Sequence, residues 1–169
     1  MTDFWSLIDT AGLAALDRGP RAGVASPALV RRITQERLRK LPREAHDAAL
    51  GLALLWHDDL DGAHELCQAH EGDADCDYVH ALLHRRDGDH ANAKYWFRAV
   101  GSHPIHATLA QAAAALGQQA LVGAGQWRPA AMVDACAKAA VAAPPQQAVL
   151  MQLQAAEFRA LGNHLAGQP

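Results

Sequence analysis

The thirty residues from Asp77 to His106, DYVHALLHRRDGDHANAKYWFRAVGSHPIH, hold five of the chain's ten histidines, the pair Arg85 and Arg86, and Trp96. His80 and His84 are four residues apart, so a helix presents both imidazoles on one side. Imidazole nitrogen ligates zinc, nickel, copper or iron, and a metal site wants three or four such groups converging. His57, His64, Asp77 and Asp87 are the candidates to complete a set across a helix pair. Arginine offers a different chemistry: Arg85 or Arg86 can hold a carboxylate or phosphate by a two-pronged hydrogen bond, with Trp96 as a flat apolar wall. His80, His84, Asn92 and His103 are the remaining polar groups of that ligand-binding constellation. The structural alternatives are histidines that cap or hydrogen-bond, and an Arg86 that lies over the core and pairs with Asp87 or Asp89.

The elements that must position these groups are helical. Alanine exceeds a fifth of the 169 residues, while β-branched and aromatic residues are sparse, which favours closely packed helices over sheet. Apolar spacing predicts a first helix over residues 2–16, a loop over 18–27 closing on Ser26 as cap and Pro27 at the first helical position, and a basic helix over 27–41. A third helix follows Pro42 and runs to about His57. Its middle is apolar nearly all round, as suits an element buried on several sides. A further helix covers residues 60–70, and EGDAD at 71–75 reads as a break. From Asp77, one helix places Tyr78, Val79, Leu82 and Leu83 on its packed face and His80 and His84 opposite. The next carries Ala93, Trp96, Phe97 and Val100 inward and stops at Gly101. Residues 107–124 read as one Ala-rich helix, central or an oligomer face. The chain then offers a helix from Pro129 and a last one over 146–161, with a frayed tail.

Several functions lack the residues they require. The formal charge is −3, with eight of fifteen Lys and Arg between Arg18 and Arg43 and ten of eighteen Asp and Glu between Asp58 and Asp89. The basic helix has no aromatic residues for base stacking, so nucleic acid is not an expected partner. No run approaches the ~20 apolar residues of a membrane span. There is no Gly-x-Ser-x-Gly elbow, no phosphate-binding Gly-rich loop, no HExxH and no calcium-loop spacing. Cys67, Cys76 and Cys136 form no CxxC. Cys67 with His70, or Cys136 near Asp134, is the sole thiol arrangement to consider, and apolar placement argues for cysteine as a small hydrophobe. Without an export signal, the expected location is cytoplasmic.

A 30-residue offset lays HDDLDGAHELCQAH over RDGDHANAKYWFRA, with Ala63 on Ala93. Gly88-Asp89 at the turn, Ala93 at the close contact, Phe97 four residues on and Pro104 at the exit resemble a tetratricopeptide unit, and helix-pair repeats of this length build α-solenoids. The string HALLHRRDGDHANAKYWFRAVGSHP also resembles an uncharacterised bacterial and fungal family sharing His-x-x-x-His-Arg-Arg, Asn-Ala-Lys-Tyr-Trp and His-Pro, with fainter likeness at GQWRPAAMVDAC. That resemblance implies no activity. The sequence therefore predicts one all-α domain of seven or eight helices, a tetratricopeptide-like helix-hairpin array. Its parts are an N-terminal helix and loop (1–25), central helix pairs (43–106) and C-terminal helices (107–161). The expected function is non-catalytic binding or scaffolding of a protein segment or small anionic ligand, with no cofactor. The alternative is a divalent transition metal, in a binding protein or an enzyme, on His80 and His84 with His57 and His64. Self-association would use the Ala-rich stretch.

Overall fold

The structure, a computed structural model, describes residues 12–39, 41–139 and 144–167. Within them the chain is all-α. The helices are α1 (Pro27–Leu38), α2 (His46–Trp56), α3 (Leu60–Gln68), α4 (Ala74–Asp87), α5 (His90–Val100), α6 (His106–Ala115), α7 (Pro129–Ala139) and α8 (Pro144–Leu165). Short 3-10 turns at Arg43–Ala45 and Gln119–Leu121 precede α2 and follow α6, and a small hairpin pairs β1 (Val122–Gly123) with β2 (Gln126–Trp127). No helix among the described residues is long and apolar enough to cross a membrane.

Helix starts follow from local chemistry. Ser26 Oγ accepts from Leu29 N–H ahead of α1, and Asp59, Asp73 and Asp89 each accept backbone N–H groups that would otherwise be orphaned at the starts of α3, α4 and α5. The turns before α3 and α5 share one backbone conformation: Asp58 and Gly88 both have positive φ, 65° and 84°, and each is followed by a capping aspartate. Ala63 and Ala93, four residues beyond those caps, are both fully buried. A small side chain there lets each helix approach its neighbour closely.

Helix α4 is the centre of the molecule. It packs against α2, α3 and α5 and is tied to α8 by polar contacts, so every residue from Cys76 to Arg86 is buried. The expected division of α4 into a packed face and a polar outer face is therefore corrected: His80, His84, Arg85 and Arg86 lie inside.

Other expectations shift at their ends. Residues 2–11 of the expected first helix fall outside the described residues, and residues 12–16 are not helical. Helix α1 stops at Leu38 rather than Leu41. The acidic stretch 71–75 does not delay α4, because Asp73 caps a helix already running at Ala74. The Ala-rich run is not one helix over 107–124. Helix α6 ends at Ala115, Gly117 turns with φ 71°, and Ala124-Gly125, both with positive φ, make the tight turn of the hairpin. Helix α8 continues past Gly162 to Leu165, which is 2% exposed, so the expected frayed tail is in part packed.

Candidate metal centre

His64 on α3 faces His80 and His84 on α4. The rings of His80 and His84 stack with centroids 4.8 Å apart, and His64 stands edge-on to both, at 4.8 and 5.3 Å. One nitrogen from each ring lies within 4.8 Å of the other two. A tetrahedral set with bonds of 2.0–2.1 Å needs separations of about 3.3 Å, so modest ring rotation brings the three nitrogens to a shared ion. His64 is half-buried, and a fourth ligand position would open on its side.

Burial without partners distinguishes these imidazoles from ordinary core histidines. His80 is 2% exposed, and neither ring nitrogen has a hydrogen-bond partner; Nδ1 of His84 has none either. Each unsatisfied buried polar group costs about 1–3 kcal/mol. Burial, reinforced by His84 and His64, pulls His80 down to about 4. His84 is lowered by burial and by His64, against the opposing charges of Asp89 and Asp87. Both rings are thus neutral at pH 7, the form that ligates metals. Trp96 stacks on His80 with centroids 4.1 Å apart, and Asn92 Nδ2 lies 3.1 Å from His84 Nε2.

His57 is not part of this cluster. Its Nδ1 accepts from Ala25 N–H at 3.0 Å, and its neighbours are Arg21 and Asp58. Burial, then Arg21, lowers its pKa, with Asp58 opposing.

The two arginines are also taken out of the expected constellation. Arg86 donates to Asp58 Oδ1 at 2.6 Å, to Leu55 O at 2.5 Å and to Asp17 O at 3.1 Å, which occupies its donors and fastens the 17–21 loop to the α2–α3 turn. Arg21 reaches the other oxygen of the same carboxylate through its backbone N–H. The anticipated partners Asp87 and Asp89 are not used by Arg86. Arg85 reaches Glu157 on α8 at 2.5 Å and Gln154 at 3.3 Å, while Tyr78 donates its hydroxyl to Glu157 at 3.3 Å. Gln154 in turn donates to Ala14 O and Ala15 O. Burial opposes ionisation of both arginines most strongly. At Arg85 the Glu157 carboxylate overcomes it and raises the pKa, whereas at Arg86 burial wins over Asp58. Nε and Nη1 of Arg85 have no hydrogen-bond partner, and Arg85 and Arg86 border a cleft of about 490 Å³ with Arg18, Gln147 and Met151.

His103 sits apart from His80. Its Nε2 lies 2.9 Å from Asp75 Oδ1, and His164 Nε2 lies 3.3 Å from the same oxygen. The sequence-based constellation is therefore divided among a histidine cluster with Asn92 and Trp96, two buried ion pairs, and this Asp-His-His group. Glu157, Gln154 and Asp58 were missed as partners because their roles depend on contacts 28 to 140 residues away in sequence. Glu157 and Gln154 carried a signal, as polar residues four positions from Leu153 and Leu150 on the inward side of the last helix.

The cysteines show no nucleophile's environment. All three are free and buried. Neighbouring Cys67 and burial raise Cys76, and burial raises Cys136. His70 pairs with Asp47 rather than with Cys67. No family model, no curated protein and no solved structure matches the chain.

Proposed function

We propose that the protein binds a divalent transition metal through His64, His80 and His84, with the fourth position left to water or to a ligand arriving from solvent. The observation that carries this is the convergence of three imidazoles of which one, His80, is buried without a hydrogen bond on either nitrogen. An all-nitrogen neutral set suits zinc, copper, nickel or cobalt better than magnesium or calcium, which take oxygen. The helix pairs α2/α3 and α4/α5 would then serve as a tetratricopeptide-like frame, a reading supported by the common turn geometry at Asp58 and Gly88.

The test is calorimetric titration of tag-free, chelator-treated protein with zinc. One tight equivalent is expected, weakened at least ~100-fold in His84→Ala and His64→Ala; absence of that tight equivalent from the wild type would end the proposal.

A second reading keeps a small anionic ligand, drawn by the unpartnered Nε and Nη1 of Arg85 in its cleft. It has less support, because Glu157 already neutralises that arginine. Thermal-shift screening with organic acids and nucleotides addresses it: a shift lost in Arg85→Met at matched stability favours this reading, and no shift rejects it.

A further inference from the structure

The Asp75, His103 and His164 group combines one carboxylate and two imidazoles from three distant parts of the chain. Asp75 stands in the first turn of α4, His103 in the link between α5 and α6, and His164 in the last turn of α8. One carboxylate oxygen and one nitrogen from each ring all lie within 4.8 Å of one another. The His103 side chain is 2% exposed and is held by ring contacts with Tyr78, His106 and His164, whereas Asp75 and His164 are 26% and 35% exposed. The group is thus anchored on one side and open to solvent on the other.

We infer that these three residues form a second divalent-metal site of the two-histidine, one-carboxylate type, separate from the His64, His80 and His84 cluster. A set with one anionic oxygen and two imidazoles, leaving positions free for solvent, suits zinc or iron(II). The two sites are separate because α4 carries ligands of both. From Asp75 to His80 the helix rises about 7.5 Å and turns by roughly 140°, too far for the ~3.5–4 Å separation of a two-metal centre.

The free protein sets the order of filling. Ile105 N–H donates to His103 Nδ1 at 3.5 Å, so Nε2 carries the ring proton and donates to Asp75. Metal binding at Nε2 requires that proton to move to Nδ1, which releases the long contact with Ile105. In the other cluster the contact that has to change is that of Asn92 with His84, and at His80 no existing hydrogen bond has to be broken. The Asp75 site is therefore the weaker of the two.

Titration of tag-free, metal-free protein with zinc, and with iron(II) under anaerobic conditions, tests this. Two events are expected in the wild type. The weaker is lost in His164→Ala and in Asp75→Asn, both of which change partly exposed side chains, while the stronger persists. In His80→Ala the weaker event remains alone. A weaker event that survives His164→Ala and Asp75→Asn, or that vanishes with His80→Ala while circular dichroism stays native, overturns the inference. Absence of only the stronger event from the wild type would count against the His64 cluster and leave this site standing.

Discussion

Asn92 on α5 reaches across to His84 on α4, its side-chain amide 3.1 Å from Nε2, while Nδ1 of the same ring has no partner. Metal-ligating histidines characteristically give their second nitrogen to such a group, which fixes ring orientation and leaves the other nitrogen to the ion. In the metal-free protein the amide nitrogen Nδ2 faces His84, so Asn92 donates and Nε2 accepts; for Nδ1 to take an ion, the amide turns so that its oxygen accepts from Nε2–H.

Asn92→Ala is expected to weaken zinc binding by about 10–100-fold with a smaller loss of stability, since Asn92 is only half-buried. Asn92→Asp, which can only accept, restores it. Unchanged affinity in Asn92→Ala, measured by competition with a chromophoric chelator, would remove Asn92 from the site.

The buried ion pairs predict stability effects rather than binding effects. Removing one partner leaves a charge buried, at a cost of about 3–5 kcal/mol. Asp58→Gly is the informative case: glycine suits φ 65° better than aspartate does, yet Arg86 loses its carboxylate. Urea unfolding should show a net loss of at least ~2 kcal/mol. A neutral or stabilising result would mean that the Arg86 pair contributes little.

Acid should destabilise the metal-free protein. His80 and His106 are both lowered to about 4 by burial first, with neighbouring histidines adding to it. The unfolded chain takes up these protons below about pH 6.5 and the folded chain only near 4. Stability is thus complete above about pH 6.5, falls between 6.5 and 4, and levels off below. His57 and His84 shift the same way; Asp77, raised by burial, opposes them. Urea midpoints measured at pH 7.5, 5.5 and 4.5 should decline in that order, and a flat series would contradict the burial of neutral imidazoles.

The thiols should be inert in the native state. With all three cysteines buried, and Cys76 and Cys136 shifted upward, a disulfide reagent at pH 8 is expected to react slowly with folded protein and to titrate three thiols in denaturant. Rapid native labelling of any one would show an opening that the packing does not contain.

Much of the fold was legible because helix starts and packed faces are local. Ser26-Pro27, Asp89 and Gly101 marked real boundaries, and the Ala63 and Ala93 offset found two turns of like geometry. The Ala-rich run failed because alanine gives no contrast between faces, so nothing in its periodicity announced the stop at Gly117 or the hairpin after it. The site was half legible. Four-residue spacing paired His80 with His84, but the third imidazole depends on how α3 lies on α4, and spacing could not choose His64 over His57. Arg85 and Arg86 looked available because their carboxylates, Glu157 and Asp58, are distant in sequence.

Zinc-edge X-ray absorption on tag-free protein loaded with half an equivalent of zinc, which fills the stronger site first, tests the metal proposal most directly. Three imidazole nitrogens at about 2.0–2.1 Å, with one further oxygen ligand, are expected, and the imidazole signature should diminish in His84→Ala. A shell of oxygen ligands alone, or a spectrum unchanged by loss of His84, would contradict it.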